Sequence, residues 1–171
     1  LALSPWVAWL HPVLPAVLQS LALAWLVGVL SAQGGARGGA KVAWLHGSVW
    51  LVGATGWMFV SLHHFGGLPA WLSALAVGLL CMALSGYLAL LGAVWQRFRR
   101  GSSLADAALF AALWLLAELA RALIFTGFPW ALVGHIWIGT PVAQAAAFVG
   151  PVGLSALTAF AAALPVLARR N

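Results

Sequence analysis

With 171 residues, 64% of them hydrophobic and only 6% charged, the chain lacks the polar surface that a soluble domain, about 25% charged, turns toward water on all sides. Its formal charge of +6 would point to nucleic acid in a soluble protein, but the basic residues sit in short loops between apolar stretches, a pattern that reports membrane topology instead. One cysteine, Cys81, permits no intrachain disulfide and no Cys-rich metal motif, and inside an apolar stretch it reads as packing.

Five apolar stretches are long enough to cross a bilayer core, which takes about 20 residues as a helix. They are too long and too uniformly apolar for barrel strands, which alternate over about 10 residues. The expected fold is all-α, a polytopic transmembrane helix bundle of about five spans in a single module, 1–171, whose ends look truncated.

The first span covers 12–32, with Pro5, Pro12 and Pro15 crowding its start, where helical N–H groups have no partner to lose. A basic loop, 33–41, follows; its Gly34, Gly35, Gly38 and Gly39 read as flexible linkage. The second span, 42–62, leads through the loop 63–69 into the third, 70–96, which ends on Arg97, Arg99 and Arg100. The fourth, 104–125, precedes the longest non-spanning stretch, 126–150, and the fifth covers 151–168.

If the spans alternate, Arg37, Lys41, Arg97, Arg99, Arg100, Arg169 and Arg170 all fall on one side, and the loops 63–69 and 126–150 carry no basic residue. The positive-inside rule then makes loops 33–41 and 97–103 and the C-terminus cytoplasmic, and the other two loops periplasmic. Trp6, Trp9, Trp44, Trp57, Trp71, Trp95, Trp130 and Trp137 sit near span ends or in the outer loop, the depth that amphipathic indoles favour. Trp25, Trp50 and Trp114 lie deeper and are expected to pack between helices. Small residues four apart (Ser85, Ala89, Ala93; Ser155, Ala159, Ala163) would form ridges of close helix approach.

Only two acidic residues occur. Asp106, beside Ser102 and Ser103 in the first turn of the fourth span, reads as a cap for that helix's free N–H groups. Glu118 lies well inside the span, three residues before Arg121 and on the same face. A lone charge there costs several kcal/mol, so the two residues are either a self-neutralising structural pair or a site of substrate contact, with Arg121 close enough to the outer end to reach headgroup phosphate. His63, His64 and His135 fall on the outer side with no carboxylate or cysteine to complete a metal site, so interfacial hydrogen bonding is the expectation and neither metal nor cofactor is. No nucleophile–base set and no phosphate-binding Gly loop is visible, so no catalytic residue is assigned.

Three segments together resemble apolipoprotein N-acyltransferase. Gly56-Trp57-Met58-Phe59-Val60-Ser61-Leu62-His63-His64-Phe65-Gly66-Gly67-Leu68-Pro69 is similar to that family's W-x-x-V-S-(hydrophobic)-x-x-(F/Y)-G-G-(hydrophobic)-P segment. Trp114, Glu118 and Arg121 through Thr126-Gly127-Phe128-Pro129-Trp130 match its W-x-x-x-E-x-x-R-x-x-x-x-T-G-F-P-W run, and Leu3-Ser4-Pro5 is like its L-x-F-S-P stretch. The likeness departs at Gly134-His135, where the family often has Gly-Tyr, and at Gly150 to Ser155, where G-x-Y-G-x-S is common.

The resemblance implies acyl transfer from a phospholipid donor to the N-terminal cysteine amine of a diacylated apolipoprotein, at the outer face of the bacterial inner membrane. The family's chemistry belongs to a nitrilase-like domain with a Glu–Lys–Cys triad and proceeds through a thioester. The present stretch lacks that domain and is expected to be inactive alone. It would supply anchoring in membrane lipid and access for the lipid and lipoprotein, through Glu118, Arg121, Thr126, Gly127, Phe128, Pro129 and Trp130 with Phe65, Gly66 and Gly67. The competing readings are a small-solute transporter or channel subunit, with Glu118 and Arg121 lining its pathway, and a structural membrane anchor.

Overall fold

Every regular element among the described residues is helical. The computed structural model describes residues 13–124 and 127–170; the Leu3-Ser4-Pro5 segment, Trp6, Trp9, Pro12 and Thr126 lie outside them. Helix α1 (Val13–Ser31) is followed by α2 (Ala36–Thr55) and by α3 (Trp57–Val60), which runs on through a π-turn, Ser61–Phe65. Helices α4 (Ala70–Leu84) and α5 (Gly86–Phe98) form the next stretch, then α6 (Ser103–Leu123). Two 3-10 turns, Val133–Trp137 and Pro141–Ala145, lead into α7 (Ala146–Ala168).

Four helical stretches, Val13–Ser31, Ala70–Phe98, Ser103–Leu123 and Pro141–Ala168, are long and apolar enough to cross a membrane. The pair Ala36–Thr55 and Trp57–Phe65 meets the same test together, bent by 52°, and supplies the fifth span. The bend has a local cause. The Thr55 hydroxyl donates back to Leu51 O at 2.7 Å, Gly56 follows, and the π-turn continues the irregularity. Ser85 repeats the device more gently between α4 and α5, donating to Cys81 O at 2.7 Å.

Two boundaries differ from expectation. The second span starts at Ala36, so Gly38 and Gly39 are helical and not linker. Helix α7 begins at Ala146 but breaks at Gly150 (φ 70°, ψ 169°), so the uninterrupted part starts at Pro151, where the fifth span was expected.

Gly39 explains its own misreading: with Ala43 and Gly47 it forms a buried row four residues apart along α2, pressed against Ser85, Leu88 and Gly92 of α4 and α5. The ridge on that partner is therefore Ser85, Leu88, Gly92, not Ser85, Ala89, Ala93, of which the last two are only half-buried. On α7 the expected ridge of Ser155, Ala159 and Ala163 is fully buried.

Helix α6 packs between α5 and α7. Its buried face carries Ala107, Phe110, Ala111, Trp114 and Ala117, with Asp106 at one end and Glu118 and Arg121 at the other. Trp95, Phe110, Trp114 and Trp50 form a continuous aromatic column, with neighbouring centroids 5.8–6.3 Å apart. Trp95 is thus wholly buried although it stands near the end of α5, and Trp25, expected to pack between helices, lies beside His46 of α2 with centroids 6.3 Å apart but is 63% exposed. Cys81 packs in a small cluster with Leu51 and Val77.

The alternation of the spans brings their basic ends together. Arg99 donates to Ser31 O at 2.9 Å, and Arg170 donates to the Ser31 hydroxyl. Asp106 caps differently from expectation. Its carboxyl oxygens accept the amides of Arg100 and Gly101, at 2.7 and 2.9 Å, in the loop before the helix, while the Ser102 hydroxyl accepts the Ala105 amide.

Candidate functional site

At the opposite end of α6 the chain turns sharply. The Gly127 amide donates to Ile124 O at 3.1 Å and the Phe128 amide to Arg121 O at 2.7 Å, a close that satisfies carbonyls left free by the helix end. Gly127 is required: its φ is +81°, and a Cβ there would stand 2.0 Å from Ala122 O.

The loop that follows lies over two charged side chains with almost no exposure, Glu118 at 2% and Arg121 at 4%. Arg121 donates from Nη1 to Phe128 O at 3.0 Å and to Trp130 O, and from Nη2 to Ala131 O at 3.0 Å. Glu118 Oε1 accepts the Trp114 indole N–H at 3.1 Å and the Val133 amide at 2.9 Å. The expected self-neutralising pair is therefore not a direct ion pair. Its opposite charges still attract, but each group is committed to loop backbone, the cation to carbonyls of 128–131 and the carboxyl to the amide of 133. Together they satisfy both polarities of an irregular segment at membrane depth, where unpaired backbone costs several kcal/mol per group.

Ser155 completes the arrangement from α7. Its hydroxyl accepts the Gly134 amide at 2.6 Å and lies beside the Glu118 carboxyl. Gly134 permits this approach, since a Cβ there would meet Pro151 O at 2.1 Å. The sequence marks Ser155 as a packing residue and gives no sign of Val133. The available signal is that Gly134 and Ser155 both stand where the family patterns quoted above have Gly and Ser.

The cavity beside Glu118 and Arg121 has a volume of about 10 Å³, room for one water and no more. A solute pathway through it finds no support, and the transporter reading is not favoured.

The clamp fixes what the loop presents. Phe128 and Trp130 stack with centroids 5.3 Å apart, Trp57 of α3 approaches Trp130 at 6.4 Å, and Trp130 stays about half exposed. Ala131 packs against the cluster of Leu51, Val77 and Cys81, which joins this loop to the bent second span and to α4. Pro129 is exposed, as are Phe65 (87%) at the end of the π-turn and Gly66 and Gly67 after it. His63 Nδ1 bonds Leu68 O at 2.8 Å and its ring stacks on His64 at 4.9 Å, a hydrogen-bonding role, and the described residues hold no group of three metal-ligating side chains.

Residues 2–164 match the family described as Apolipoprotein N-acyltransferase N-terminal domain. The chain belongs to this family. It is 37% identical over 150 residues to the apolipoprotein N-acyltransferase of Ralstonia nicotianae, covering 86% of this chain and 29% of that protein. Against those of Pseudomonas syringae pv. tomato and Azotobacter vinelandii it is 38% and 36% identical over 168 residues, covering 96% and 97% of this chain and 30% and 31% of theirs. The chain thus spans about three tenths of the length of these curated relatives. In this acyltransferase N-terminal domain, the segment quoted above from Trp114 to Trp130 is a helix end, a glycine cap and a loop held by Glu118 and Arg121.

Proposed function

We propose that the chain is the membrane part of an enzyme that transfers an acyl chain from a phospholipid to the N-terminal cysteine amine of a diacylated lipoprotein. The loops 63–69 and 126–150 face the periplasm, and 33–41, 97–103 and the C-terminal end face the cytoplasm. The gathering of basic residues at one end of the bundle supports that orientation in a bacterial inner membrane. The chain's part is access and seating, and no residue in it is assigned the bond-making chemistry.

The observation that carries this reading is the buried clamp on 128–133, in a chain of this family. Two charges are kept in the membrane to hold a loop that presents a half-exposed Trp130 stacked on a half-buried Phe128. Indole and phenyl groups at headgroup depth suit a substrate with one apolar and one wet end, such as a lipid acyl ester or a lipidated peptide terminus. Phe65, Gly66 and Gly67 form a second lip with no bulky polar side chain between them. Gly127 shapes the turn, and Pro129 stiffens the exposed tip.

The test is complementation. The full-length protein that carries this chain is expressed in bacteria depleted of their own acyltransferase, and lipoprotein N-termini are read by mass spectrometry. Triacylated termini are expected, with Trp130→Ala slowing their appearance roughly tenfold, the scale of losing one buried aromatic anchor. Diacylated termini alone, from a protein correctly inserted, would remove the assignment.

A further inference from the structure

At the basic end of the bundle three helix ends enclose a recess of about 590 Å³, with Arg99 and Arg170 at its rim, Trp95 and Leu167 on its walls and Asp106 beside them. Arg99 is held in place: its guanidinium lies 5.4 Å over the Trp95 ring and donates to Ser31 O and, at 3.4 Å, to Gln33 O. Trp95 is itself fixed, wholly buried and donating its indole N–H to Asp106 O at 3.0 Å. Arg170 reaches the same point from α7, bonded to the Ser31 hydroxyl. A guanidinium carries five N–H donors, so both arginines keep most of theirs unspent, converging from parts of the chain far apart in sequence.

The protein offers these cations almost no anion. Asp106 and Glu118 are its only acidic residues; Glu118 is committed at the far end, and both Asp106 oxygens accept amides of the 100–101 loop. Arg97, Arg100 and Arg169 add to the excess at the same end. A stacked, pre-positioned arginine fork matches phosphate geometry. The depth is that of headgroups, where lipid phosphate is the abundant anion.

We propose that this recess binds the phosphate of an anionic phospholipid headgroup, gripped between Arg99 and Arg170. The site is separate from the loop clamp at the other end and stands whether or not the acyltransferase reading does.

The experiment is native mass spectrometry of the full-length protein in mild detergent, titrated with phosphatidylglycerol or phosphatidylcholine. Phosphatidylglycerol is expected to stay bound where phosphatidylcholine does not, and Arg99→Gln with Arg170→Gln is expected to weaken it roughly tenfold. The pair Arg97→Gln with Arg169→Gln, exposed and of equal charge, is expected to leave it nearly unchanged. Equal loss in both pairs would reduce the effect to general surface charge and overturn the site, as would equal retention of the two lipids. Displacement by millimolar inorganic phosphate would overturn the lipid source. Should the Arg99 variant fail to insert, Arg170→Gln alone, at an exposed position, carries the comparison against Arg169→Gln.

Discussion

Gly39 on α2 and Gly92 on α5 meet backbone to backbone: a Cβ on Gly39 would stand 2.5 Å from Gly92 O, and one on Gly92 would stand 2.3 Å from Gly39 O. No L side chain fits at either position without separating the helices. Lipid tails provide no hydrophobic drive between helices, so this pair holds through close packing, which any added atom removes. Gly92→Ala is expected to destabilise the bundle by about 1–3 kcal/mol, the range for an overpacked core. Gly78→Ala, where nothing lies within 4 Å, is the control and is expected to be neutral. Thermal melting in detergent separates the two, and equal midpoints would contradict the packing argument.

The carboxyl of Glu118 serves as an acceptor for one loop amide and one indole. Glu118→Gln keeps an acceptor of the same shape and is expected to preserve the loop. Glu118→Leu leaves the Val133 amide buried without a partner, at a cost of about 1–3 kcal/mol. Amide hydrogen exchange at Val133 reads the difference directly: fast exchange in the Leu variant and near-native protection in the Gln variant. Unchanged protection in both would mean that the bond contributes nothing.

The spans were legible in the sequence because apolar length answers to one solvent, lipid, and the basic ends fall together for the same reason. The importance of Glu118 and Arg121 was legible too, since charge inside a span needs a partner. What those partners are was not. Helical spacing places the two on one face, but the carbonyls of 128–131 and the amide of Val133 come from a loop whose path depends on Gly127, Gly134 and the break at Gly150. Trp25 shows the same limit: its depth is readable from position, whereas its exposure beside His46 of α2 is not. Gly39 reads as linker because it lies between Arg37 and Lys41, yet Ala43 and Gly47 at the next two four-residue steps are the signal of a helix-packing row.

Arg121 acts as a fork, with both terminal nitrogens engaged on carbonyls of the loop. Lysine carries the same charge as a single point and cannot span them. Under the proposed function Arg121→Lys is therefore expected to lower kcat/KM for acyl transfer by roughly tenfold, about one charge-assisted hydrogen bond, despite keeping the charge. Faster chymotryptic cleavage after Trp130 and Trp137 is expected alongside, if the loop is released. Wild-type kinetics in a protein with a loosened loop would separate the clamp from the activity.

Orientation can be read without any assay of activity. Phe65 is 87% exposed at the end of the π-turn, and a Cβ at Gly34 meets open space in the loop after α1, at the opposite end of the bundle. The native Cys81 is 1% exposed among Leu51 and Val77, so it gives no background with a polar reagent. In intact spheroplasts a membrane-impermeant maleimide is expected to label Phe65→Cys and to spare Gly34→Cys until the membrane is opened. The reasoning is electrostatic: moving the seven basic residues of one end across an energised membrane opposes the potential by about 2.3 kcal/mol per charge per 100 mV, so that end stays in the cytoplasm. The reverse pattern would place Trp130 and its loop in the cytoplasm and leave the proposed access route on the wrong face.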